Sequence, residues 1–122
     1  MKTNVKTTNI VLTPAIDQYL RFKIAKIKKY IDESSGEAMV DIEIGKTTEH
    51  HRRGQLFKAE INLVVPGQSL RRADIEDYDL YSAIVEARDE IVLQIKATHE
   101  KQTTLLRRGG RKIKEMIRGQ RG

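Results

Sequence analysis

The chain has 122 residues, a net charge of +6 and no cysteine. A chain of this length can build one hydrophobic core, and without cysteine it has no disulfide, no thiolate metal site and no cysteine nucleophile. No apolar run reaches the length of a membrane span or of a secretion signal, so we expect a cytoplasmic protein without membrane contact.

The excess positive charge lies at the C-terminal end. Seven basic residues and one acid follow position 101, so this end accounts for the whole net charge of +6 and residues 1–101 are neutral overall. We therefore predict one domain over residues 1–101 and a basic tail over residues 102–122, with a short helix near 111–118.

The first elements are a strand and a helix. Thr3, Val5 and Thr7 alternate with Lys2, Asn4 and Lys6, which indicates a short strand with a polar face. Thr13 and Pro14 signal the start of a helix, since threonine caps free N–H groups and proline suits the first turn. Apolar residues then recur at helical spacing and form one stripe: Ile16, Leu20, Ile24, Ile27 and Ile31. We expect this helix to end before Gly36.

The rest of the domain changes to strands and returns to a helix. Alternation with a period of two predicts strands over 39–44 and 57–65, joined by a polar hairpin over 49–54, and a further strand near 70–75. A final helix carries an apolar face made of Leu80, Ile84, Ile91, Ile95 and Thr98. The order is β-α-β-β-β-α, an α+β fold with an antiparallel meander and two helices on one face of a four-stranded sheet.

Two short motifs resemble catalytic or metal-binding sequences without matching them. Gly45-Lys46-Thr47 lacks the earlier glycine of a phosphate-binding loop and is followed by another strand. His50 and His51 are adjacent, so they would point apart on a strand and lack a third ligand at suitable spacing. We therefore expect no enzyme activity, no cofactor, no metal site and no small-molecule substrate.

Basic residues cluster in two places that suit a phosphate backbone. Lys23, Lys26 and Lys29 recur every three residues along one flank of the first helix, in a segment with five basic residues and no acid. The tail adds a flexible cationic group, Arg107, Arg108, Arg111, Lys112 and Lys114. An ordinary solvated helix face and a solubilising tail remain the alternatives.

The chain resembles the ribosome hibernation-promoting factor family, also called the ribosome-associated inhibitor or sigma-54 modulation family. The similarity covers residues 1–100. The matching segments are residues 10–15, which lead into the lysine-bearing helix, the hairpin over residues 50–54, residues 57–61, Pro66-Gly67, and residues 79–84 followed by Gln94.

This resemblance implies a fold like that of double-stranded RNA-binding domains. It also implies docking on ribosomal RNA between the head and body of the small ribosomal subunit, where messenger and transfer RNA would sit, so that translation is blocked by occupancy without chemistry. The implied RNA-facing residues are Lys23, Lys26, Lys29 and, on the second helix, Lys96. Longer members carry a further dimerising domain that has no counterpart here, which implies short-form behaviour.

Four positions of the second helix depart from the family pattern. Val85 replaces a common aspartate, and Glu90, Leu93 and Ala97 occupy positions that are usually basic. The second helix is therefore expected to contribute less to RNA binding, and the tail to compensate.

Two other functions are compatible with the sequence. A free-standing binder of double-stranded RNA would need lysines before its last helix, where this chain has four acids between 74 and 79. A protein-interaction module or homodimer without RNA binding would use an exposed sheet edge or Val92 and Leu93.

Overall fold

The computed structural model describes residues 1–51 and 54–99, without the side chains of 48–51. The elements are β1 (Lys2–Thr8), α1 (Pro14–Ala25), a 3-10 helix (Lys26–Tyr30), β2 (Met39–His51), β3 (Gly54–Val64), β4 (Arg71–Asp77) and α2, which covers residues 80–99. The predicted β-α-β-β-β-α order is confirmed. The predicted tail, with its five candidate site residues and its short helix, lies outside the described residues.

The four strands form one mixed sheet in the order β1-β2-β3-β4. The strands β2, β3 and β4 form the predicted antiparallel meander, and β1 pairs with β2 in parallel. Because parallel neighbours cannot be joined by a hairpin, α1 and the 3-10 helix form the crossover between β1 and β2. Val5, Ile42, Ile61 and Ala73 lie in one row across the sheet and face the core.

The core lies between one face of the sheet and both helices. The apolar stripes predicted for the two helices are buried in their middle parts, at Leu20, Ile24, Ile27, Ile84, Ile91 and Ile95. The ends of the stripes, Ile16, Ile31 and Thr98, are only half-buried. Ala83 and Ala87 are fully buried as well, and these small side chains let α2 approach the sheet closely. No element within residues 1–51 and 54–99 covers the opposite face of the sheet, which we call the open sheet face.

Both helices begin with a side-chain cap. The Thr13 hydroxyl accepts a hydrogen bond from the backbone N–H of Ile16 at 3.2 Å, as predicted for the start of α1. Before α2, a carboxylate oxygen of Asp79 accepts from the backbone N–H of Ser82 at 3.1 Å and from its hydroxyl at 2.7 Å. These hydrogen bonds lower the pKa of Asp79 because they stabilise the charged carboxylate.

The structure differs from the sequence prediction in two elements. The first helix tightens to a 3-10 helix at Lys26, and β2 continues to His51, through the first half of the hairpin connection predicted over 49–54. The pairing of β2 with β3 shifts register between Lys46 and His50, so this extension lacks the clean alternation that marks a strand in sequence. Gly45 lies within β2, where a Cβ atom would stand 2.1 Å from the carbonyl oxygen of Thr8.

Candidate nucleic-acid interface

The two helices lie side by side and run in the same direction. The ring of Tyr19 in α1 meets Tyr81 near the start of α2 edge to face, with centroids 4.5 Å apart. Further along both helices, Nζ of Lys96 lies 5.2 Å from the ring centroid of Tyr30. These two contacts place Lys96 beside the end of the 3-10 helix. Cations of both helices therefore belong to one helical layer.

Aromatic rings separate and hold the lysines of α1 and the 3-10 helix. Nζ of Lys23 lies 5.4 Å from the ring centroid of Tyr19 and 5.7 Å from that of Phe22, and Nζ of Lys26 lies 5.2 Å from the Phe22 centroid. Each contact is within the range of an attractive cation–π interaction. Phe22 itself is 65% exposed. The ring thus sits on the surface near two ammonium groups.

The change from α-helix to 3-10 helix affects how the lysines are presented. In a 3-10 helix, side chains three residues apart leave the helix on the same side. Lys26 and Lys29 are separated by three residues within this element, and Lys29 is exposed. The two side chains are therefore aligned along the helix axis. We call this surface the basic helix face; its residues are Tyr19, Phe22, Lys23, Lys26, Lys29, Tyr30 and Lys96.

The lysines of the basic helix face carry uncompensated charge. Among the described side chains, those of residues 1–47 and 54–99, the ion pairs involve other groups, such as Arg21 with Asp17 at 2.9 Å. Aromatic rings orient an ammonium group without neutralising it. A phosphate that approaches this face therefore meets positive charge that no carboxylate cancels.

The open sheet face, opposite the helices, has a different charge arrangement. Lys6, Glu43, Glu60 and Asp74 lie in one row across the four strands, so three acids accompany one base. Glu43 accepts a hydrogen bond from the Thr8 hydroxyl at 2.6 Å, which lowers the pKa of its carboxyl. A phosphate that approaches this row would compete with its carboxylates for the cations of this face.

Three of the four α2 positions that depart from the family pattern lie in different environments. Glu90 accepts a hydrogen bond from the Gln94 side chain at 3.3 Å, Leu93 is 61% exposed, and Ala97 lines a cleft beside β4. None of these side chains brings a positive charge to the helical layer. Lys96 is thus the cation that α2 adds to the basic helix face among the described residues.

The predicted site residues of the domain are found together, although their role in binding stays a prediction. Sequence reasoning placed Lys23, Lys26 and Lys29 on one flank and assigned Lys96 from family resemblance. It did not include Phe22 in the site. The available signal was the position of this aromatic residue, one residue before Lys23 and four before Lys26.

Neither metal binding nor membrane insertion finds support in the described residues. Among the side chains that the structure describes, those of residues 1–47 and 54–99, no three histidine, cysteine, aspartate or glutamate side chains are close enough to hold a metal ion. None of the helices in these ranges is sufficiently long and apolar to cross a membrane.

The fold and the basic helix face define a small α+β domain with a cationic helical layer. Residues 3–103 match the model of the family described as Sigma 54 modulation protein / S30EA ribosomal protein. The chain belongs to this family, which confirms the resemblance drawn from the sequence.

A curated relative and two solved structures add detail. The chain is 26% identical over 110 residues to the ribosome hibernation promotion factor of Bacillus subtilis, covering 90% of this chain and 54% of the relative. It thus spans about half the length of that relative.

The Protein Y N-terminal domain from Thermus thermophilus, known from a crystal structure, is 31% identical in sequence to this chain, and the two structures match with a TM-score of 0.64. The match covers 80% of this chain and 99% of that domain. A ribosomal subunit interface protein from Coxiella burnetii shares the fold at 16% identity and a TM-score of 0.64, covering 82% of this chain and 99% of that one.

Proposed function

We propose that this protein is a hibernation factor that binds ribosomal RNA of the small ribosomal subunit in the messenger and transfer RNA channel. Bound there, it blocks translation by occupying the channel, without catalysing a reaction. It would act in the cytoplasm, where ribosomes are. Membership of the family supports the ribosome as partner, and the names of the relatives from Bacillus subtilis and Coxiella burnetii support hibernation and a subunit interface.

The basic helix face is the observation that carries this proposal. Lys23, Lys26 and Lys96 come from two helices yet share one layer, and none of them is neutralised by a carboxylate within the described residues. Neutralising phosphates releases condensed counterions, which makes binding strong at low salt and steeply salt-dependent. Such contacts position a protein on folded RNA and do not read its sequence. A shape-specific site on ribosomal RNA fits this chemistry.

The tail residues Arg107, Arg108, Arg111, Lys112 and Lys114 are proposed as additional phosphate contacts. Their support is their charge alone, since they lie outside the described residues. A flexible basic segment can become ordered on RNA and gain several phosphate contacts at once. Its contribution would compensate for the second-helix positions that have lost their positive charge.

Sedimentation with separated ribosomal subunits tests the proposal. Purified protein is mixed with small or large subunits at low and at moderately high salt, and the full chain is compared with a variant that ends at Lys101. We expect stoichiometric, salt-sensitive binding to the small subunit, reduced in the shortened variant. Small subunits that already carry messenger and transfer RNA should bind less protein. Salt-insensitive self-association without binding to either subunit would favour a protein-interaction module instead.

A further inference from the structure

A cleft beside β4 contains a buried arginine that the proposed function does not use. The cleft has a volume of about 530 Å³ and lies between the turn that precedes β4 and the last turns of α2. Arg71 lines it and is only 6% exposed. The volume falls within the range of small-ligand sites, which is roughly 300–1,000 Å³.

The position of Arg71 is unusual for a charged residue. Its strand neighbour Leu63 is fully buried, and Ala73, two residues further along β4, is buried in the core. Strand alternation thus directs Arg71 toward the helices, at a position that apolar residues occupy elsewhere in the sheet. Burying a cation without an anion is unfavourable, because the ion loses its hydration without gaining a compensating charge.

The surroundings of Arg71 do not neutralise it. Its guanidinium donates one hydrogen bond, from Nη1 to the side-chain oxygen of Gln68 at 2.8 Å, and this acceptor is a neutral amide. None of the ion pairs among the side chains of residues 1–47 and 54–99 includes Arg71. Among the described residues that line the cleft there is no aspartate or glutamate. The remaining guanidinium donors are therefore available to a ligand with negative charge.

Two further donors lie at the same cleft. The hydrogen bond from Arg71 fixes the side-chain oxygen of Gln68, so its amide nitrogen can point to a ligand. Ser69 contributes an exposed hydroxyl on the same turn. The opposite wall is held in place, because the Gln94 side chain donates to the backbone oxygen of Arg72 at 2.8 Å.

We infer that this cleft binds a phosphate group, with Arg71 as the principal ligand-binding residue and Gln68 and Ser69 as additional donors. A guanidinium fork, an amide N–H and a hydroxyl can each serve a different oxygen of one tetrahedral anion. The phosphate could belong to a free phosphate ester or to an RNA backbone that passes beside residues 97–99 of α2. Binding of an RNA phosphate (the RNA source) rests on the proposed function, whereas binding of a free phosphate ester (the free source) does not.

Nuclear magnetic resonance titration with inorganic phosphate at constant ionic strength tests the free source. Wild-type protein should show saturable amide shifts at Gln68, Ser69 and Arg71. Ser69→Glu places a carboxylate beside the guanidinium at an exposed position and should weaken phosphate binding at least tenfold. Arg71→Met should do the same, and if this variant fails to fold, Ser69→Glu alone decides. Arg72→Gln is the matched control, because Arg72 points to the open sheet face, and it should bind like wild type.

Binding to small ribosomal subunits at fixed salt tests the RNA source with the same variants. Weakening of at least tenfold by Ser69→Glu, with Arg72→Gln unchanged, would assign the cleft to an RNA phosphate. If neither inorganic phosphate nor subunit binding responds to Ser69→Glu, the inference is overturned. If wild-type protein does not bind subunits at all, the proposed function fails, and the phosphate titration alone decides about the cleft.

Discussion

The two outer surfaces of the domain both carry cations, and they differ in what surrounds those cations. On the open sheet face, Lys58 pairs with Glu43 at 3.5 Å and Arg72 with Glu60 at 3.1 Å. On the basic helix face, Lys23 and Lys26 lie against aromatic rings. A phosphate would therefore compete with carboxylates on the first surface and meet none on the second.

This comparison shows why net charge is a poor guide to the interface. Residues 1–101 carry no net charge, yet the lysines of the basic helix face take part in none of the ion pairs among the described side chains, whereas Lys58 and Arg72 on the open sheet face are paired with carboxylates. Local fields of this kind attract polyanions without a large overall charge. The following predictions test whether the basic helix face binds RNA and the open sheet face does not.

The largest effect is expected from reversing three charges of the basic helix face. We expect the triple variant Lys23→Glu, Lys26→Glu and Lys29→Glu to abolish binding to the small subunit. Its affinity should fall about 100-fold or more, since three phosphate contacts become repulsions. The core residues beneath are untouched, so thermal unfolding should stay cooperative. Sedimentation and circular dichroism measure the two effects. Undiminished sedimentation of the folded triple variant would remove the first helix from the mechanism.

Removing the cation contributed by α2 should have a smaller effect. Lys96→Gln is expected to reduce affinity about tenfold at low salt and to lower the slope of log affinity against log salt by about 0.7 to 0.9, the value for one phosphate contact. Affinities at four or more salt concentrations give the slope. An unchanged slope would mean that Lys96 stays on Tyr30 in the complex and contacts no phosphate.

Replacing the exposed aromatic residue should have a still smaller effect. Phe22→Leu keeps an apolar side chain but removes the ring that lies near both Lys23 and Lys26. Because each exposed cation–π contact is worth roughly 0.5–1 kcal/mol, we expect affinity for the small subunit to fall about threefold. Stability should be unchanged, since Phe22 is 65% exposed. If Phe22→Leu binds the small subunit with the same affinity as the wild-type protein, the ring has no role in orienting the lysines.

On the open sheet face, Glu43→Gln should change stability and not binding. The pKa of Glu43 is lowered by the Thr8 hydroxyl and by nearby Lys58 and Lys6. The ionised Glu43 carboxylate therefore stabilises the fold at pH values above its ordinary pKa of 4.5. This stabilisation is lost as the pH falls through the lower pKa that Glu43 has in the folded protein.

We expect Glu43→Gln to reduce the free energy of unfolding by about 1 kcal/mol at pH 7. The free energy of unfolding of this variant should also fall less steeply than that of the wild-type protein as the pH is lowered. Urea unfolding at several pH values measures this effect. A loss of subunit affinity in the folded variant would contradict the assignment of the two faces.

The fold could be predicted from the sequence because its elements have clean periodicity and clear caps. Thr13 and Pro14 mark the start of α1, and alternation marks the parts of β2 and β3 that cover the core. The extension of β2 to His51 could not be predicted, because this part of the hairpin includes a register shift.

The site could be predicted only in part. The spacing of Lys23, Lys26 and Lys29 is visible in the sequence, but the approach of Lys96 to Tyr30 depends on how two distant helices pack. Arg71 and Arg72 look equivalent in the sequence. Strand alternation, once the phase is fixed by buried Ala73, makes the first a buried residue and the second a surface residue.

The most direct measurement compares two double variants with equal charge changes, by quantitative binding to small ribosomal subunits at one low salt concentration. Lys23→Glu with Lys26→Glu alters the basic helix face, and Lys2→Glu with Lys6→Glu alters exposed positions of β1 on the open sheet face. The account predicts that the first variant loses most of its affinity while the second changes it less than threefold. Equal losses in both variants would contradict it, because binding would then follow net charge and not a particular face.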